Sequence, residues 1–87
     1  MPHTMEKIDK EFEEALSKSL KTIGKNLKRL RKTAGKDLTA VAQAVQMKAE
    51  VLETIEKGTH EMRVSQLARL CAYYGVTPVD LFKNSEA

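Results

Sequence analysis

The sequence predicts an all-α protein, five helices in one small domain preceded by an N-terminal helical extension. Two observations carry this. Apolar residues recur at steps of three and four along most of the chain, the period of a helix with one buried face. Residues suited to helix starts and stops, among them Asp37, Gly58, Gly75 and the run Thr77-Pro78, fall at the ends of those periodic stretches. Length sets the scale: 87 residues with 41% hydrophobic and 31% charged composition support one core and not two.

The first stripe runs Ile8, Phe12, Leu16, Leu20, Ile23, Leu27 and Leu30. Thr4 is suited to cap it, so a helix is expected from about Met5 to a terminator at Gly35. Gly24 is the weak point inside and predicts a kink or a break, with Ser19 or Thr22 capping the second piece. On this reading residues 1–22 form an extension, 23–82 the domain and 83–87 a frayed tail. Asp37 then caps a short helix from Leu38 to about Val45, whose inward side is Leu38, Val41, Ala42 and Val45. Gln46, Met47 and Lys48 make a turn. A third helix follows from Ala49 to Lys57, with Leu52 and Ile55 inward and Gly58 beyond its end.

The fourth stripe is Val64, Leu67, Ala68, Leu70, Cys71 and Tyr74, ended by Gly75. Last, Thr77 as cap, Pro78 at the first helical position and Asp80 at the third predict a short helix that turns Val79, Leu81 and Phe82 to the core. The second and third helices, joined by three residues, form a helix-turn-helix.

Composition excludes several function classes. A single cysteine, Cys71, has no internal disulfide partner, and with only His3 and His60 beside it no zinc spacing can be assembled. No metal, cofactor or small-molecule ligand is indicated. Cys71 falls on the inner face of its helix and reads as a small buried hydrophobe, while His60 lacks a neighbouring nucleophile or paired carboxylates, so no catalytic residue is expected. Tyr73 and Tyr74 read as core and edge packing. The chain carries no apolar run of membrane-spanning length and its start is charged, so a cytoplasmic location without membrane contact is expected.

Net charge is only +3, but its distribution is uneven. Residues 1–20 hold three Lys against five acids, residues 21–36 hold seven Lys or Arg and no acid, and residues 37–62 hold two Lys against five acids. Positive charge is thus concentrated in one helix and the turn after it, which suits a polyanionic partner.

These residues resemble the lambda-repressor-like, or xenobiotic-response-element, helix-turn-helix family. Ile23 to Lys32 with Gly35 is similar to its first helix, Ala42 stands at its small helix-crossing position, and Ile55-Glu56-Lys57-Gly58 resembles the end of its recognition helix. Leu67 to Val76 followed by Leu81-Phe82 resembles its fourth and fifth helices, so the similarity spans about Ile23 to Phe82. Two positions depart from the pattern. Gln46 replaces the usual turn glycine, and Leu38 stands where many members carry a glutamine that contacts DNA.

The resemblance implies a DNA-binding transcriptional regulator whose third helix enters the major groove. By matching positions, base contacts would come from Lys48, Ala49, Glu50, Glu53 and Thr54, and backbone contacts from Arg31, Lys32, Lys36, Thr39 and Lys57. Glu50 and Glu53 oppose that use unless they accept from cytosine amino groups; as plain helix-surface residues, with Glu53 pairing Lys57, they would suit a protein-interaction module of accessory or antitoxin type that has kept the fold. The stripe of Ile8, Phe12, Leu16 and Leu20 must be covered, either by the chain's own domain or by a second copy. A homodimer on double-stranded DNA is the favoured expectation, because domains of this type read paired half-sites.

Overall fold

The computed structural model describes residues 2–59 and 62–83, with side chains from Ser17 onward. Five α-helices follow in chain order: α1 (Pro2–Thr33), α2 (Leu38–Ala44), α3 (Ala49–Lys57), α4 (Val64–Tyr74) and α5 (Pro78–Phe82). Among the described residues there is no strand, and none of the helices is long and apolar enough to cross a membrane. The all-helical, five-helix architecture agrees with the sequence.

The core lies where α1, α2, α3, α4 and α5 converge on Ile23, Leu27, Val41, Ala42, Val45, Leu52, Ile55, Leu70, Cys71 and Leu81. Cys71 is buried as expected, and its surroundings push the thiol up from its ordinary range, first by burial and second by the charge of Asp80. Asn26 is a polar residue buried beside this core. Its side-chain amide donates to the carbonyls of Leu81 and Lys83, both at 2.8 Å, and so ties α1 to the far end of α5. That satisfies the buried donors and fixes where the last helix docks.

Gly24 corrects the expectation of a break. Helix α1 runs unbroken from Pro2 to Thr33, starting three residues before the expected Met5, and Thr22 caps nothing: its hydroxyl donates back to the carbonyl of Lys18 within the same helix. The glycine is there because α3 crosses at that point. A Cβ on Gly24 would stand 2.4 Å from the carbonyl oxygen of Ile55 and 2.6 Å from that of Glu56. Gly58, which ends α3 in the left-handed conformation at φ 71°, presses on the same stretch: its missing Cβ would lie 2.6 Å from Lys21 Cα. Two glycines on two helices thus let backbone meet backbone.

Four apolar residues expected in the core lie outside it. Val64 is 84% exposed, Val79 64% and Phe82 53%, and Ala68 is exposed as well. Geometry explains α5. Successive helical side chains are about 100° apart, so once Leu81 points inward, Val79 is carried about 200° away and Phe82 about 100°. Val64 is the first residue of α4. Tyr74 is half-buried and packs edge-on against the exposed Tyr73, ring centroids 5.1 Å apart. Of the apolar stripe in the extension, Leu20 is half-buried, whereas the side chains of Ile8, Phe12 and Leu16 lie outside the described residues, as do His60 and the tail from Asn84.

Candidate nucleic-acid interface

Local chemistry sets the geometry of α2, the turn and α3. Asp37 adopts an extended backbone and its carboxylate accepts from the Ala40 N–H at 2.8 Å, which starts α2. Val41 and Ala42 bury its inner side. The helix stops at Val45, whose N–H donates to the Val41 carbonyl at 3.0 Å. Gln46 then takes φ 57°, the left-handed conformation for which glycine would be the unstrained choice, and the Met47 N–H returns to the Ala42 carbonyl at 2.9 Å. That reversal redirects the chain, and Lys48 restarts it as the residue before α3, with an extended backbone.

Helix α3 is held from inside by Leu52 and Ile55, so its outer face is free. Lys48, Glu50, Glu53 and Lys57 are exposed; Ala49 and Thr54 are half-buried, Ala49 resting against the core. The Thr54 hydroxyl donates to the Val51 carbonyl at 2.7 Å, so any further partner would have to donate to it. Glu53 and Lys57 approach to 3.8 Å at i,i+4 spacing, both largely exposed. Such a pair is weak and screened by salt, and it leaves Glu50 as the acid of this face without an ion-pair partner among the described residues.

Arg31, expected among the backbone contacts, is engaged inside the protein. Its Nε donates to Glu56 Oε2 at 2.8 Å and its Nη2 to Glu56 Oε1 at 3.0 Å, a two-pronged pair between α1 and α3 whose side chains are only 14% and 5% exposed. The remaining prong, Nη1, donates to the Lys36 carbonyl at 3.2 Å in the turn that leads into α2. Hydrogen bonding to Glu56 raises the guanidinium's pKa, against an opposing effect of burial. One side chain therefore joins three elements, and its charge is offset within the protein. Sequence reasoning missed this pair because its members lie 25 residues apart and each sits on a polar-looking stretch. It equally missed Asn26, a polar residue inside an apolar stripe.

The other cations stay on the surface. Lys32, Lys36 and Thr39 are exposed beside the start of α2, and Lys25, Lys28 and Arg29 are exposed along α1. A cleft lined by Lys28, Arg31, Leu38, Glu53, Glu56 and Lys57 joins this basic face of α1 to the outer face of α3. Leu38, half-buried at its rim, offers no hydrogen bond from its side chain.

A family model described as a helix-turn-helix domain matches residues 22–82. The chain belongs to that family. Among solved structures, this helix-turn-helix protein is similar to the clp gene regulator ClgR from Corynebacterium glutamicum, with 26% sequence identity and a TM-score of 0.67. That likeness covers 71% of the present chain and 66% of the ClgR chain, so the protein matches just under two thirds of its neighbour's length. The search of curated proteins returned no match. Both findings agree with the lambda-repressor-like kind of helix-turn-helix anticipated from Ile23 to Phe82.

Proposed function

We propose that the protein is a sequence-specific transcriptional regulator that inserts α3 into the major groove of duplex DNA. The observation that carries this reading is an outward α3 braced from behind: Leu52 and Ile55 anchor it, the Arg31–Glu56 pair locks its far end, and Lys48 stands free at its start. Lys48, Ala49, Glu50, Glu53 and Thr54 face the bases in this reading, with Lys32, Lys36, Thr39 and Lys57 on the flanking phosphates. Arg31 drops out of the contact set and positions the helix instead. The likeness to a gene regulator supports the same role, and no catalytic step enters it. The protein acts as a homodimer through Ile8, Phe12, Leu16 and Leu20, so that two α3 helices address two half-sites one helical turn apart, and it works in the cytoplasm.

Selection of bound duplexes from a random pool at low and moderate salt tests the reading. A recovered sequence motif is expected, with affinity that falls steeply as salt rises and falls further in Lys36→Ala and Lys48→Ala. Absence of binding to any duplex at low salt would overturn it. Glu50 and Glu53 favour a second reading, a protein-interaction module that retains the fold. Charge reversal at both positions separates the two: gained DNA affinity together with loss of a protein partner supports the module, whereas an altered recovered motif supports the regulator.

A further inference from the structure

Helix α1 carries a row of cations of which the contacts proposed above use only Lys32. Lys18, Lys21, Lys25, Lys28, Arg29 and Lys32 are all exposed, and no acid occurs between Ser17 and Thr33. At about 100° per residue these six fall within about 100° of arc. Arg31 lies outside that arc and is the member of the segment that pairs with an acid. Like charges at i,i+3 and i,i+4 oppose helix formation, and here no intervening carboxylate relieves them. Such a row is stabilised by a counter-charge supplied from outside.

The row is placed next to the groove-facing surface. Lys28 lines the cleft it shares with Leu38, Glu53 and Lys57, and Lys25, Lys28, Arg29 and Lys32 line an adjoining groove along α1. From Lys18 to Lys32 the helix rises about 21 Å, roughly the axial length of six base pairs. Apart from the adjacent Lys28 and Arg29, steps of three and four residues set successive cations about 4.5 to 6 Å apart along the axis, a spacing that suits a row of phosphates and not a single small anion.

We propose that this ridge of α1 is a second DNA contact, gripping the phosphate backbone beside the half-site that α3 reads. It rests on the regulator reading and deepens it: α3 and the start of α2 supply register, and the ridge supplies affinity without sequence preference. Arg29 also donates to Asn26 Oδ1 at 3.2 Å, so its guanidinium is held at the edge of the ridge.

The test compares two triple variants of the full chain in salt titrations of binding to a 40-base-pair duplex of random sequence. Lys18→Gln, Lys21→Gln and Lys25→Gln together remove three ridge cations that neither line the cleft shared with α3 nor belong to the contact set proposed above. Arg63→Gln, Arg69→Gln and Lys83→Gln remove the same charge from exposed positions elsewhere. All six positions are at the surface and glutamine is a good helix former; melting curves verify the fold. The ridge triple is expected to lower the slope of log affinity against log salt by about 2 to 3, since each lost phosphate contact removes about 0.9. It should weaken low-salt binding roughly tenfold or more, with the control triple changing the slope by less than one. Equal effects from both triples reduce the ridge to net charge and overturn the proposal. An unchanged slope with a lowered sedimentation mass also overturns it and assigns the ridge to the acidic start of a second copy. In either case wild-type binding leaves the regulator reading standing; a wild-type chain that binds no duplex at low salt removes both.

Discussion

Arg31 and Glu56 form a two-pronged ion pair across the α1–α3 crossing, with both side chains largely shielded from water and Arg31 also holding the Lys36 carbonyl. Removing one member strands the other's charge in a shielded site, which is far costlier than losing an exposed pair. Arg31→Met is expected to lower unfolding free energy by about 3 kcal/mol. The double variant Arg31→Met, Glu56→Leu should recover much of that loss, because no orphaned charge remains. Denaturant unfolding of the two singles and the double gives the coupling energy directly. Additive losses would show that the pair does not act as a unit.

Gly24 gives a prediction opposite to helix propensity. Alanine is favoured over glycine inside a helix by about 1 kcal/mol. Yet a Cβ here would meet backbone carbonyl oxygens of Ile55 and Glu56 at 2.4 and 2.6 Å, and neither can step aside without moving α3. Gly24→Ala is therefore expected to destabilise by about 1 to 3 kcal/mol, as overpacking does. Because the displaced element is α3, DNA affinity should fall in the same variant at temperatures where it remains folded. A stabilised variant would contradict the close crossing.

At Gln46 the sign reverses. A left-handed backbone costs a residue with a Cβ roughly 1 to 2 kcal/mol, while glycine's greater freedom in the unfolded chain costs it about 0.5 to 1. Gln46 sits at φ 57° and its side chain is exposed, so nothing is lost from the core on replacement. Gln46→Gly should gain about 0.5 to 1 kcal/mol by chemical denaturation, and Gln46→Val, whose branched Cβ tolerates this region poorly, should lose stability.

Asp80 supplies an acid-dependent term. Hydrogen bonds from Thr77, the backbone N–H first and the hydroxyl second, hold its carboxyl below the usual range in the folded state. A group whose folded pKa is depressed contributes stability above its unfolded pKa, about 3.9, and loses it as pH falls through the folded value. Melting curves of wild type and Asp80→Asn should thus differ at pH 6 and converge as pH drops below about 4. A gap that persists at pH 2.5 would assign the difference to something other than this ionisation.

These four cases mark which features are local. Asp37, Gly58, Gly75 and the Thr77-Pro78-Asp80 cap act within a few residues of themselves, so the boundaries of α2, α3, α4 and α5 could be read directly from the sequence. The strained turn at Gln46 was visible for the same reason. Gly24 was misread because a glycine that opens a helix and a glycine that admits a neighbouring helix look alike until the neighbour is placed. Val79 and Phe82 were misread because a short apolar run does not say which of its members faces inward. For the candidate interface, the exposed positions of α3 follow from its period. The commitment of Arg31 to Glu56 does not, since it depends on an approach between segments 25 residues apart.

The bonds from Asn26 to Leu81 and Lys83 have a consequence for synthesis. The ribosomal tunnel hides the most recently made stretch of chain, so the carbonyls that this amide needs are still enclosed when residue 83 has only just been joined. The first helix and the turn after it emerge long before their closing partner does. Until Leu81 and Lys83 emerge, the longest helix therefore waits with the Asn26 amide open to water.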